Sequence, residues 1–211
     1  MKNNINNFLI CITLVALLAI PAFAVDLQQN REREVKAAFL FNFINFVEWP
    51  EYKMPNNDEP IVIGVVGSKD FTEAFSAVRN KKVRDKGVEV VCFEDLSELK
   101  TPVKKDIPAR DKAVESLKKC HILFISSDPA ESGDNADAIL RALKGVPVLI
   151  VGEAAGFLEK GGQINFLEKD QKIRFEINLR AVRQNGLEIR SKLLKLAKRV
   201  VQEDAEGGRV D

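Results

Sequence analysis

Ile61-Val62-Ile63-Gly64-Val65-Val66 is an unbroken apolar run rich in β-branched residues. A strand with one wet face would carry a polar residue at every second place, and this run has none, so it reads as a strand buried on both sides. Val88–Phe93, Ile122–Ile125 and residues 148–151 repeat the theme. Helical stretches separate them: one opens at the cap-like Ser68 and Asp70 and runs through Arg79, one ends near Lys119, and one runs from about Asn135 to Leu143 and stops at Gly145. This alternation indicates an α/β fold: a single domain built on a mostly parallel β-sheet with helices on both faces.

Upstream, residues 26–47 read as a helix whose Val35, Ala38, Phe39, Phe43 and Phe46 recur at spacings of three and four. Leu40, Phe41, Ile44 and Val47 crowd its other side, which therefore needs a cover from the same fold or from a partner, and Trp49-Pro50 ends it. Downstream, Gly161-Gly162 precedes two alternating runs, Ile164 and Phe166, then Ile173, Phe175 and Ile177, joined at Lys169-Asp170. They predict a C-terminal β-hairpin at the sheet edge. After Gly186 an amphipathic terminal helix over 191–201 would turn Leu193, Leu194, Ala197 and Val200 inward.

The first 24 residues read as a signal peptide: Lys2, an apolar run from Phe8 to Ile20, and Ala22-Phe23-Ala24, with cleavage expected after Ala24 and one domain over 25–211. That run spans only about 20 Å, short of the roughly 30 Å bilayer core, so direct membrane insertion is not expected. Export to the periplasm is the expectation. The leader holds Lys2 and no acid, which leaves 31 basic and 31 acidic side chains. This balance argues against a nucleic-acid partner, and the local group Arg79, Lys81, Lys82, Arg84 and Lys86 reads as a solvated loop.

Beyond the leader there are two cysteines and one histidine. A Cys92–Cys120 disulfide would close a loop of about 29 residues, worth roughly 3 to 4 kcal/mol on the chain-entropy model. Against it, a purely parallel sheet would place the two at opposite strand ends, so a bond and two buried thiols both stay open. His121 opens an apolar strand and reads as structural, with no metal site around it. Gly64-Val65-Val66-Gly67-Ser68 matches neither phosphate-loop spacing, and no nucleophile elbow, HExxH or Ser-His-Asp set is present. An enzyme is not expected, and neither is a cofactor. Arg174, Glu176 and Asn178 share one strand face near Glu153 and Phe157, which is either a solvated edge or a binding surface for a partner or ligand, with Phe41 as an apolar contact.

Several segments carry a resemblance: Lys36-Ala37-Ala38-Phe39-Leu40-Phe41-Asn42-Phe43 leading into Phe46-Val47-Glu48-Trp49-Pro50; Cys120-His121-Ile122-Leu123-Phe124-Ile125-Ser126; Gly156-Phe157 with Gly161-Gly162-Gln163-Ile164-Asn165-Phe166; Ile173-Arg174-Phe175-Glu176-Ile177-Asn178; and Gly186-Leu187-Glu188-Ile189-Arg190-Ser191. In this order they resemble the YfiR family of exported bacterial regulators. The resemblance implies an α/β fold in the periplasm and a regulatory binding protein that represses an inner-membrane signalling protein, a diguanylate cyclase, through its periplasmic sensor domain. It also implies redox modulation through cysteines, of which Cys120 lies in the strand motif while a second stabilising pair is absent. A homodimer is left open, and a periplasmic small-molecule binding module feeding a sensor kinase or cyclase is the alternative.

Overall fold

The computed structural model describes residues 28–56, 59–67, 69–78, 80–94, 96–99, 107–126, 135–170 and 172–202. The leader with its cleavage point, Ser68 and Arg79 lie outside the described residues. The chain opens with α1 over residues 28–43, followed by β1 (Val47–Glu48), β2 (Ile61–Val66), α2 (Asp70–Glu73) and β3 (Val88–Phe93). Then come α3 (Ile107–Lys118), β4 (Ile122–Ile125), α4 (Asn135–Ala142), β5 (Leu149–Gly152), β6 (Ile164–Lys169) and β7 (Lys172–Asn178). The chain closes with α5 (Leu179–Gln184), β8 (Glu188–Ile189), α6 (Ser191–Leu194) and β9 (Arg199–Val201).

Seven strands form one sheet in the order β3-β2-β4-β5-β6-β7-β9. The first five are parallel, β6 and β7 make the antiparallel hairpin, and β9 runs parallel to β7. The α/β architecture read from the sequence is present. Strand periodicity sends alternate residues into two cores. Ile61, Ile63, Val65, Ile122, Phe124, Leu149 and Val151 face the α1 and α2 side. Val66, Leu123, Ile125, Val148 and Ile150 meet Leu117 of α3 and Ala138, Ile139 and Leu140 of α4. Every residue of β4 and β5 is buried, which is why those runs carry no polar member.

Helix α1 ends earlier than expected. After residue 43 the chain turns, and Val47–Glu48 pairs antiparallel with Glu188–Ile189 as a small second sheet. This sheet belongs to the cover over the apolar second side of α1: Leu40, Phe41 and Ile44 share a core with Leu187, Ile189 and Leu193. Phe41 is 8% exposed, so the partner contact expected there is corrected to an internal one. On the sheet side Phe39 and Phe43 meet Phe166 and Phe175 with centroids 5.3 to 5.9 Å apart.

The C-terminus departs furthest from the sequence reading. The expected helix over 191–201 is a single turn, Ser191–Leu194, and the chain then extends into β9. Glu176 pairs in register with Arg199 and Ile177 with Val200, so the hairpin is internal and β9 forms that edge. Val200 of the expected helix packs against the α1-side core from a strand instead. Likewise α2 is one turn followed by turns, not a helix through Arg79.

Phe157, another expected contact residue, is also interior at 2% exposure. Its ring fills the space between Gly152 and Gly162, where an added Cβ would lie 2.7 and 2.2 Å from ring carbons. The ring is trapped between two backbones and has nowhere to retreat. Gly162→Ala should therefore lower stability by about 2 kcal/mol or more through overpacking, measured by urea denaturation. A variant as stable as wild type would show that Phe157 can move.

Candidate functional site

The strand face singled out by the sequence splits into separate roles. Asn178 caps α5, its Oδ1 accepting from Ala181 N at 3.0 Å, while its Nδ2 donates to the Leu158 carbonyl at 3.0 Å. Its polarity serves the chain turn that follows β7. Glu176 Oε2 accepts from Arg199 Nη2 at 2.8 Å across the register that joins β7 to β9, and Arg199 also reaches Glu159 at 3.4 Å. These partners hold the Arg199 guanidinium above its usual range, the Glu176 hydrogen bond first among them. Arg174, nearer the hairpin tip, is exposed.

Arg174 borders a groove of about 800 Å³ between the first turns of α1 and the hairpin tip. Val35, Phe39 and Ile173 supply its apolar lining, with Arg31 and Glu32 on the helix and Glu168, Asp170, Lys172 and Arg174 on the hairpin. Val35 is an exposed large hydrophobic at 37%. The sequence reading assigned Val35 to the core stripe and so missed its place at the groove.

Glu153 lies apart from Arg174, beyond the C-terminal end of β5. It pairs with Lys36 of α1, and its Oε1 accepts from Ser126 Oγ at 3.1 Å. Lys36 also pairs with Glu32 one turn back. Lys36 and Glu153 side chains are each 12% exposed, so the pair ties α1 to the C-terminal ends of β4 and β5 in a poorly hydrated place. Burial by itself would lower the Lys36 pKa, but Glu153 and then Glu32 overcome it and raise the value. Lys36 and Ser126 stand in the motif-bearing segments of the sequence, yet nothing in their spacing links them to Glu153.

His121 is structural. Val62 N donates to its Nδ1 at 3.0 Å, which makes Nε2 the protonated nitrogen that donates to the Lys53 carbonyl at 3.1 Å. The His121 carbonyl accepts from Trp49 Nε1 at 3.2 Å. Burial, followed by the nearby Lys53 charge, pushes the imidazole down to about 4.

Cys92 and Cys120 are not joined by a disulfide. Cys92 lies beside Val65 on the strand face of Val88 and Val90, which pack on the α1-side core, whereas Cys120 belongs to the core on the other face of the sheet. The disulfide left open by the sequence is not formed. Burial pushes the Cys120 thiol up to about 12, which leaves it protonated and unreactive.

Among the described residues, no group of three His, Cys, Asp or Glu side chains is placed to hold a metal ion, and no helix is long and apolar enough to cross a membrane. The sheet order and the flanking helices define a member of the α/β class. The chain belongs to the YfiR/HmsC-like family (DUF4154), whose model matches residues 33–198. No curated protein matches the chain. Among solved structures, a conserved domain protein from Vibrio cholerae O1 biovar El Tor is 12% identical, with a TM-score of 0.48 over 66% of this chain and 54% of that one. An ABC domain in complex with L-Trp from Streptococcus pneumonia is 14% identical, with a TM-score of 0.46 over 66% of this chain and 56% of that one. The chain thus spans just over half the length of both.

Two predictions follow from this geometry. Lys36→Met should cost about 3 kcal/mol by urea denaturation, because Glu153 is left buried opposite Glu32 without its cation. Adding Glu153→Gln should restore much of that loss, and a single variant with unchanged stability would remove the tie from the fold's essentials. For His121, the folded form resists protonation between pH 6.5 and about 4 while the unfolded chain accepts it. Stability should therefore fall by about 3 kcal/mol as pH drops through that window and stop falling from this source below it. His121→Gln should show a correspondingly shallower decline, read by denaturation at stepped pH.

Proposed function

We propose that this protein is a periplasmic regulator that binds the periplasmic sensor domain of an inner-membrane diguanylate cyclase and represses it. Membership of the YfiR/HmsC-like family over residues 33–198 carries this reading. The groove between α1 and the hairpin is the surface we assign to the partner. Its apolar residues Val35, Phe39 and Ile173 lie among charges of both signs, the composition of a protein contact with a desolvated centre and an orienting rim. Arg174 and Val35 are the anchors, since both are exposed. Glu176, held by Arg199, shapes the neighbouring strand face and orients β9.

Repression then needs only differential affinity. If the groove accepts the sensor in its inactive arrangement and not in its active one, binding shifts the cyclase toward the inactive state by the ratio of the two affinities. No reacting group is required for that.

The test uses the exported chain and the purified periplasmic sensor domain of a diguanylate cyclase encoded beside it. The two should co-purify, and co-expression with the full-length cyclase should lower cellular cyclic di-GMP. Arg174→Glu with Val35→Asp should weaken sensor binding roughly tenfold or more. Arg174→Glu alone should change stability by less than about 0.5 kcal/mol, as expected for an exposed side chain. Failure of the sensor to bind, with cyclic di-GMP unchanged, would overturn the proposal.

A further inference from the structure

A second groove, on the other side of the sheet, has no part in the reading above. It measures about 400 Å³ and lies between α4, the turn entering β6, and α5. Leu140, Ile150 and Ala181, none more than 9% exposed, line it with apolar surface. Arg141, Lys144 and Lys160 stand around them against a single acid, Asp137.

Those charges are unequally engaged. Lys160 lies 3.1 Å from Asp137 Oδ1. Arg141 and Lys144 have no carboxylate within ion-pair distance among the described residues. Asn185 lines the same groove at 6% exposure, and its Oδ1 is held by Gly145 N at 2.9 Å. That bond fixes the amide and leaves the Nδ2 donors as its part available to a guest.

A simpler account is that Arg141 and Lys144 offset the dipole at the C-terminus of α4. It explains those two and nothing else. It does not account for the Asn185 amide donors at the end of α5, or for apolar side chains lying beside two cations without a carboxylate partner, and Lys160, from the turn before β6, is held there by Asp137. Convergence of cationic, amide and apolar surface from three elements, at a volume within the range of small-molecule pockets, is the composition of a small-molecule site.

We infer that this groove binds a small organic anion. Its carboxylate, sulfonate or phosphate head meets Arg141 and Lys144, and its apolar body lies on Leu140, Ile150 and Ala181. Charge-assisted hydrogen bonds in a half-enclosed groove supply orientation, and the apolar contact supplies the remaining affinity.

The probe is anilinonaphthalene sulfonate, an anion on a flat apolar body, titrated by fluorescence into the folded exported chain. Saturable binding of one equivalent is expected. Arg141→Glu with Lys144→Glu, both at exposed positions, should weaken it roughly tenfold or more, with circular dichroism and thermal midpoint unchanged. Gln184→Trp, which fills the groove from an exposed position without altering charge, should weaken it as well. Arg174→Glu, in the other groove, should leave it intact, and neutral phenylnaphthylamine should bind the wild type roughly tenfold more weakly. Binding of the sulfonate undiminished in both the charge-reversed and the filled variants would overturn the assignment, and so would equal binding of the neutral analogue. Because the sensor-domain experiment uses the opposite groove, the charge-reversed variant should still bind that sensor, so the two proposals fail separately.

Discussion

The central parallel strands carry apolar side chains on both faces, and excluding water from both is the constraint around which the rest of this chain is arranged. β4 and β5 have no residue that tolerates solvent, so each needs a layer above and a layer below. On one side α3 and α4 meet this need with Leu117, Ile139 and Leu140. On the other the load falls on α1, whose phenylalanines interlock with those of β6 and β7. A helix apolar nearly all round is stable only if its second side is covered too, and the short β1–β8 sheet contributes to that cover.

Two polar ties fix how these layers meet. Lys36 anchors α1 at the C-terminal strand ends through Glu153, and His121 bridges Val62 of β2 to the Lys53 carbonyl while Trp49 closes on its backbone. Both are buried or nearly so, and both would be costly if left with one partner missing. Their role is to hold packed elements in register, and each occupies the kind of residue that in isolation invites a catalytic reading.

The two grooves lie where the packing leaves gaps. One groove opens where α1 runs past the hairpin tip, the other where α4, α5 and the turn into β6 diverge. They lie on opposite sides of the sheet, one assigned to a protein partner and the other to a small anion. Partner binding and ligand binding, as proposed, can therefore be studied apart. No coupling between them is needed for either role.

The strand and helix order was legible in the sequence because burial on both faces forces continuous apolar runs, and Ile61–Val66 or Ile122–Ile125 admits no other reading. The hairpin was legible for a similar reason, since Ile164, Phe166, Phe175 and Ile177 alternate. Residues 191–201 were misread because Leu193, Leu194, Ala197 and Val200 fit a helical period, whereas the open edge of β7 captures Arg199–Val201 as a strand through the Glu176–Arg199 register. Candidate site residues fared less well. Phe41, Phe157 and Asn178 are a core side chain, a packing plug and a helix cap, distinctions that depend on what lies across from each in space. Local periodicity thus determined the central strands and the hairpin, and that the sheet is covered on both faces. Only the tertiary structure decided which side chains remain outside, because that depends on contacts between residues as distant in sequence as Lys36 and Glu153.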